Sequence, residues 1–542
     1  MRNPDRPSRA TRRATAQAAL PHALLATPLV QVVLGDRALL ALLGQDRPGN
    51  QVDQRARPDT EDRERREHYP DNVGVDPEIL PDACADPGDH PPFQRPDQLL
   101  VPIGSVHTPI MPRRRTPRQP GVPTGGRLAP REPGISGIRW QVAKERIPVM
   151  PTSSPAQRSG LDVLKIDDQL TPEERLVRDT VRAYAADRVL PHIADWFEAG
   201  ILPRELAPEL GKLGLLGMHL TGYGCAGMGP VAYGVACREL EAADSGLRSL
   251  VSVQGSLAMY PIWRYGSDEQ KEEWLPRMAS GEALGCFGLT EPDHGSDPAS
   301  MTTKAMPNGT SWVLSGTKMW ITNGATADVA VVWAATPDGI RGFLVPRGAR
   351  GFTARSIHKK MSLRASVTAE LSFDEVKLPA DAVLPGVSGL KGPLSCLSEA
   401  RFGIAWGVTG AARTCLETAV EYARTREQFG KPIGSFQLTQ SKLAWMLADL
   451  SRAQLLALHL GRLKEAGPLA PEQVSLAKMA NVRTAIEIAR QARTILGANG
   501  ITLEYPVIRH ANNLESVLTY EGTEEIHALA LGQALTGIPA YR

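Results

Sequence analysis

The sequence predicts an α+β protein built from a helical region, a β region and a second helical region, in that order. Three observations carry this reading. Apolar residues recur at helical spacing between Thr171 and Met278. The pattern changes to alternation between Phe287 and Leu384, and long helical runs return after Gly392. No internal repeat is visible.

The first helix opens at Thr171-Pro172-Glu173-Glu174, an N-cap followed by Pro at the first helical position and an acidic first turn. Its apolar face continues through Leu176, Val181 and Tyr184. Further helices are expected over 206–216, 231–242 and 269–278. In the β region, residues 312–322 alternate like a strand, and Asn323-Gly324 supplies a turn. Residues 329–334, Asp338-Gly339 and 342–345 read as a hairpin. Long helices are then expected over 400–425, 436–464, 471–496 and 524–535, with Gly497 and Gly500 ending the third.

Residues 1–149 are of another kind. They are crowded with Pro, Arg and Asp, contain one Lys (Lys144), and lose periodicity after Leu43. Such composition buries too little apolar surface to offset chain entropy, so a disordered extension is expected. Heavy Arg use with almost no Lys suggests translated upstream DNA of a G+C-rich genome, with Met150 as the start. Arg12-Arg13 before 14–34 also has a faint twin-arginine or transit-peptide character, which Pro21, His22, Pro28 and Asp5 interrupt. The remaining regions divide as 160–285 helical, 286–386 β and 387–542 helical.

Composition excludes several function classes. Lys plus Arg number 61 against 59 Asp plus Glu, and a net charge of +2 gives no case for nucleic acid or an anionic membrane as partner. The six Cys form no CxxC and the 11 His no HExxH, so neither structural zinc nor a disulfide framework is expected, and no metal. Apolar runs stop short of the ~18 residues of a membrane helix. A protein of the reducing cytoplasm is the simplest reading.

Glu521 is the candidate for the chemistry. Gly522 lets the chain turn sharply after it, Thr523 is a good N-cap, and Glu524 and Glu525 suit the positive end of the following helix. A carboxylate on a loop pinned to a helix start can project into a cavity. On local pattern alone it is a solvated charge near a cap, and only the rest of the chain changes that.

Four segments occur together: Phe287-Gly288-Leu289-Thr290-Glu291-Pro292-Asp293-His294-Gly295-Ser296-Asp297, Gly316-Thr317-Lys318-Met319-Trp320-Ile321-Thr322-Asn323, Arg426-Glu427-Gln428-Phe429-Gly430 and Leu496-Gly497-Ala498-Asn499-Gly500. With the Tyr520-Glu521-Gly522-Thr523 loop and the helical–β–helical order, the chain from Leu161 to Arg542 resembles the acyl-CoA dehydrogenase family. Within it the likeness is to the glutaryl-CoA dehydrogenase branch, through 238–241, 244–249, 362–366, 400–407, Arg509-His510 and 513–515. Leu247 stands where the family often has Tyr, and Ala498 where it usually has Gly. The fold implied is an N-terminal helical domain, a middle β-barrel or sandwich, and a C-terminal four-helix bundle.

The resemblance implies FAD as cofactor. Phe287, Leu289, Thr290, Gly295 and Ser296 form a Gly/Thr/Ser-rich turn whose backbone N–H groups and hydroxyls could hold flavin and phosphates without adding charge. Trp320, Ile321 and Thr322 fall at the flavin-facing strand. Arg426, Phe429, Gln437, Thr494, Leu496, Gly497 and Ala498 are implied to reach the FAD of a neighbouring subunit, with Thr523 and Tyr541 as further contacts. Arg suits a pyrophosphate because its planar fork pairs with two oxygens. A homotetramer and electron-transfer flavoprotein as electron acceptor are implied as well.

Glu521 would take the α-proton of an acyl thioester, Tyr520 would orient it, and Ser296, Leu394 and Arg401 would contact the acyl-CoA. Arg248 and Ser249 would receive the far carboxylate of glutaryl-CoA, because a buried Arg beside a fatty-acyl tail is costly without an anion. Glu241, seven residues before Arg248, would share its face on a continuous helix. The expected activity is oxidation and decarboxylation of glutaryl-CoA to crotonyl-CoA and carbon dioxide, in lysine or tryptophan breakdown. The competing readings are dehydrogenation of another short or dicarboxylic acyl-CoA without decarboxylation, an oxidase or flavin monooxygenase on the same fold, and a non-catalytic scaffold.

Overall fold

The computed structural model describes residues 160–540. The expected extension at 1–149, both targeting readings and Tyr541 therefore lie outside the described residues. Helix α1 (Pro172–Tyr184) opens with a reciprocal cap. The Thr171 Oγ1 accepts from the Glu174 N–H at 3.2 Å, and the Glu174 carboxylate accepts from the Thr171 N–H at 2.8 Å. Helices α2 (Ile193–Ala199) and α3 (Leu206–Lys212) follow; α3 stops short of the expected 216 because the chain turns left-handed at Gly214 and Gly217.

Helix α4 (Pro230–Ala243) matches the helix expected over 231–242 and is followed by a separate helix α5 (Ser245–Ser252), so the condition under which Glu241 and Arg248 would share a helix face is not met. Glu241 and Arg248 do not lie on one continuous helix. Asp244, at φ −165° and ψ 142°, breaks it, and its carboxylate caps α5 by accepting from the Gly246 N–H at 2.7 Å. The chain continues through a π-helical turn (Val253–Met259) into α6 (Tyr260–Tyr265) and α7 (Asp268–Ala279).

The β region is a curled seven-stranded sheet of β1 (Gly285–Gly288), β2 (Lys304–Asn308), β3 (Ser311–Thr322), β4 (Val329–Thr336), β5 (Gly339–Pro346), β6 (Phe352–Ser356) and β7 (Thr368–Pro379). The order is β1-β4-β2-β3-β7-β6, with β5 also on β4. The expected hairpin is present as the β4–β5 pair, from Val329 opposite Pro346 to Thr336 opposite Gly339. Between β3 and β7 the register shifts twice, at Leu314/Gly316 and Lys318/Ile321. The second shift places Trp320 at φ +63°, where a bulge re-aims the side chain.

The second helical region comprises α8 (Lys391–Thr425), a small hairpin of β8 (Glu427–Gln428) and β9 (Lys431–Pro432), then α9 (Gln437–Ala466), α10 (Pro471–Ile495), α11 (Pro506–Thr519) and α12 (Glu524–Thr536). Helix α11 is not among the expected elements. Ile404, Leu416, Leu450, Ile486 and Leu514 belong to one core shared by α8, α9, α10 and α11, as a helical bundle requires. Helix α8 approaches α4 closely because its contact face is glycine. A Cβ on Gly410 would overlap the Arg238 carbonyl, and one on Gly407 would overlap the Glu241 carboxylate. Among the described residues no helix is long and apolar enough to cross a membrane.

Candidate active site

After α11 the backbone is extended at Tyr520, left-handed at Glu521 (φ +53°) and at Gly522 (φ +94°), and Thr523 caps α12 by accepting from the Ile526 N–H at 3.3 Å. A left-handed Glu is strained by roughly 1–3 kcal/mol and persists only where its surroundings hold it. Here three successive carbonyls are held. The Lys478 ammonium donates to Tyr520 O at 2.7 Å and to Gly522 O at 2.5 Å, and the Arg401 Nε donates to Glu521 O at 2.6 Å.

This turn leaves the Glu521 Oε2 buried without a hydrogen-bond partner among the described residues. Burial raises the Glu521 pKa, and the cations of Arg248, Lys478 and Arg401 only partly oppose it. His527, buried beneath Gly522, is pushed down to about 3 by burial, with Lys478 and Arg401 adding to the effect. It is therefore a neutral imidazole.

Arg248 and Glu241 are both fully buried, and the Arg248 Nε donates to the Glu241 Oε2 at 2.8 Å. The Arg248 Nη2 donates to the Tyr520 hydroxyl, and the guanidinium carbon lies 5.8 Å from the Tyr520 ring centroid. Among the described residues the Arg248 Nη1 and Glu241 Oε1 have no partner. The break that brings the pair together is locked from α11: Arg509 donates to the Ala243 carbonyl at 2.7 Å and to the Asp244 carboxylate, and Asn513 Nδ2 donates to Asp244 at 2.9 Å. Ser249 is buried beside Arg248. Leu394 and Arg401 lie two turns apart on α8 and so share a face. Glu521, Tyr520, Arg248, Glu241 and Arg401 thus form one cluster of charge and hydroxyl.

A second group lies at the β1–β3 junction. Phe287 and Leu289 are buried, Thr290 is half-buried, and its carbonyl accepts from the Met319 N–H at 2.8 Å next to Trp320. Trp320 is 59% exposed, Ile321 is buried, and Thr322 ends β3. Gly295 and Ser296 are exposed, and a Cβ on Gly295 would meet nothing within 4 Å. The loop is anchored by a buried ion pair, Lys318 Nζ to Glu291 Oε1 at 2.9 Å. Burial opposes the charge on Glu291, but hydrogen bonds from Thr303, Lys318 and Thr302 outweigh it and hold the carboxylate down at about 2.

The third group is separate. Arg426, Leu496, Gly497 and Ala498 line a cleft of about 250 Å³ with Tyr422 and Asn499. Phe429 is 92% exposed at φ +54°, and Gln437 and Thr494 are exposed. Among the described residues, none of these side chains hydrogen-bonds to the first two groups.

The donor set fits FAD: an exposed indole, a loop of backbone and hydroxyl donors with open space at Gly295, and an arginine cleft with open space at Gly497. The sequence reading missed Lys478 and His527, and it assigned no role to Asp244, Arg509 or Asn513. A lysine on an amphipathic helix reads as solvent-facing, so only the fold identifies Lys478 as buried.

A fold of helices, curled sheet and helical bundle, with a buried carboxylate at the bundle end, defines a flavin-dependent acyl thioester dehydrogenase class. Descriptions of the acyl-CoA dehydrogenase N-terminal, middle and C-terminal domains match residues 171–282, 286–376 and 388–536. The chain belongs to the acyl-CoA dehydrogenase family. It is 37% identical over 382 residues to the short-chain specific acyl-CoA dehydrogenase of Homo sapiens mitochondria, covering 69% of this chain and 92% of the human one. It is 68% identical to a crystal structure of glutaryl-CoA dehydrogenase from Mycobacterium smegmatis, with a TM-score of 0.70, covering 70% of this chain and 99% of that one. A second M. smegmatis glutaryl-CoA dehydrogenase, crystallised in complex with FADH2, is 61% identical, with the same TM-score and coverage.

Proposed function

We propose that this protein is an FAD-dependent dehydrogenase that oxidises and decarboxylates glutaryl-CoA to crotonyl-CoA and carbon dioxide, passing the electrons to an electron-transfer flavoprotein. The observation that carries the choice of substrate is the fully buried Arg248 with one guanidinium nitrogen unpartnered, in the same cluster as Glu521. The 68% identity to a glutaryl-CoA dehydrogenase supports the same reading.

In this mechanism Glu521 removes the α-proton of the thioester, and its raised pKa suits it to that transfer near neutral pH. The Glu521 backbone N–H polarises the thioester carbonyl as negative charge builds there. FAD, when bound, supplies the acceptor for the hydride leaving the β-carbon. Phe287, Thr290, Ser296, Trp320 and Thr322 would hold its flavin end. Arg426, Gln437 and the 494–498 segment would reach the cofactor of a neighbouring subunit in a homotetramer. Arg248 Nη1 holds the terminal carboxylate until it departs as carbon dioxide. Glu521, having accepted the α-proton, is placed to return a proton to the remaining carbanion.

A second reading is oxidation of a short monocarboxylic acyl-CoA. The similarity to the human short-chain enzyme supports it, as does the charge of Arg248 being already balanced by Glu241. Anaerobic titration with glutaryl-CoA, following flavin bleaching and carbon dioxide release, separates the two. Bleaching without carbon dioxide, or faster bleaching by butyryl-CoA, would select the second.

A further inference from the structure

Lys478 lies on α10 and is 1% exposed. Burying an ammonium is costly unless it is paired, yet among the described residues Lys478 forms no direct ion pair. It donates instead to the carbonyls of Tyr520 and Gly522, the two peptide groups that flank Glu521. Carbonyls carry only partial charge, so most of the ammonium's field remains unspent. The carboxylate that attracts it most is Glu521.

We propose that Lys478 is a positioning residue for the base: it holds the left-handed turn that aims Glu521 and supplies the positive field that keeps the Glu521 carboxylate ionised. This rests on the reading of Glu521 as the α-proton acceptor. The charged and titratable groups around the pair are Arg401 on α8, Arg248 on α5, Glu241 on α4, Tyr520 at the end of α11, and Glu524 and His527 on α12. Each of the others is committed or weakened. Arg248 exerts the larger pull on the Glu521 carboxyl but also holds Glu241 at 2.8 Å, Glu524 pairs with Arg483, and His527 is uncharged. Arg401 is partly exposed, so water screens it more than the buried Lys478. Burial pulls the ammonium of Lys478 down to about 7 and pushes the carboxyl of Glu521 up, and the attraction between the two opposes both shifts.

The test compares Lys478→Met, which removes donors and charge, with Lys478→Gln, which keeps N–H donors but not charge. Both are purified with bound flavin, and the rate of anaerobic flavin reduction by the acyl-CoA substrate is followed from mildly acidic to mildly alkaline pH. Loss of a cation near a carboxylate raises its pKa, so the acidic limb should move up by about one pH unit or more. Reduction should then be roughly tenfold slower on the acid side, with the rate recovering towards alkaline pH. If Lys478→Met does not hold flavin, Lys478→Gln carries the same measurement. Limbs that coincide with wild type, a uniform loss at every pH, or loss of flavin from both variants would mark Lys478 as structural and overturn the proposal. Glu521→Gln run in parallel separates the two readings. Wild-type flavin reduction in that variant defeats the assignment of the base itself. An inactive Glu521→Gln with unmoved limbs in the Lys478 variants defeats only the role of Lys478.

Discussion

Arg248 and Glu241 meet across a helix break, 2.8 Å apart and both fully buried, with Asp244 between them in an extended conformation. The pair is internally neutral, but among the described residues one nitrogen of Arg248 and one oxygen of Glu241 stay unpartnered. A pair so arranged can accept an anion at the arginine without first losing its own hydrogen bond. It also means that removing either partner strands a charge, which typically costs about 3–5 kcal/mol.

Arg248→Ala should therefore damage turnover of glutaryl-CoA far more than that of butyryl-CoA. The dicarboxylic substrate would bring a desolvated anion to a site lacking its cation and still holding Glu241. The expected loss is about 2–5 kcal/mol, or roughly 30-fold to several thousand-fold in kcat/KM. Butyryl-CoA makes no such demand. Measuring kcat/KM for both thioesters isolates the effect, because general misfolding would lower both alike. Equal losses would make Arg248 purely structural.

Gly407 on α8 is predicted to be a second determinant of the same selectivity. A Cβ there would overlap the Glu241 carboxylate and crowd the Arg248 Nε. Gly407→Ala gains helix propensity, yet overpacking a filled interior usually costs about 1–3 kcal/mol. The variant should show a lower Tm and a reduced preference for glutaryl-CoA over butyryl-CoA. A higher Tm with unchanged preference would show that the pair tolerates displacement.

Glu239 should make the helical core acid-sensitive. Its buried carboxylate receives Arg182 at 3.0 Å, Arg238 at 3.0 Å and Arg413 at 2.7 Å. Burial opposes the charge, but Arg413, Arg238 and Arg182 together outweigh it and hold the carboxyl well below the usual range. A depressed carboxyl contributes stability that is complete above the unfolded pKa of about 4.3 and is lost as pH falls towards the folded value. Glu239→Gln should lower Tm at neutral pH, and the gap from wild type should narrow steadily as pH falls below about 5. A gap independent of pH would remove the electrostatic explanation.

Much of this architecture was legible because local signals agreed with the fold. Thr171-Pro172 caps α1 as read, and the β4–β5 hairpin is present, though its turn is Pro337-Asp338, with Gly339 already paired to Thr336. Helix α11 escaped because its inward face is Val507, Arg509, His510, Asn513, Leu514 and Val517. Three polar residues interrupt the apolar stripe by which an amphipathic helix is recognised. Arg509 and Asn513 lock Asp244, a partner more than 260 residues away. The helix expected over 231–242 is present as α4, but the meeting of Glu241 and Arg248 across the Asp244 cap, rather than along one helix face, was not legible because it depends on contacts from α11. The turn at Glu521 was visible in Gly522-Thr523, but the burial of its carboxylate was not, since the local pattern reads as a solvated charge near a cap. Lys478 was not, since its contacts lie 42 and 44 residues away in sequence.

Glu521→Gln should leave a yellow, folded protein that still binds thioester but barely turns it over. The amide matches the carboxylate in shape, and the left-handed turn is held through backbone carbonyls by Lys478 and Arg401 rather than through the side chain. Loss of a positioned base costs about 10²–10⁴ in rate. The pH dependence adds an independent check. Burial raises the Glu521 pKa, so the wild-type rate should fall on the acid side as the base becomes protonated, with the limb above that of an ordinary carboxylate. The residual rate of the Gln variant should lack that limb, because the amide does not titrate there. Stopped-flow flavin reduction on both proteins measures each quantity directly. A variant that keeps the acidic limb, or reduces flavin within a few-fold of wild type, would place the base on another residue of the cluster.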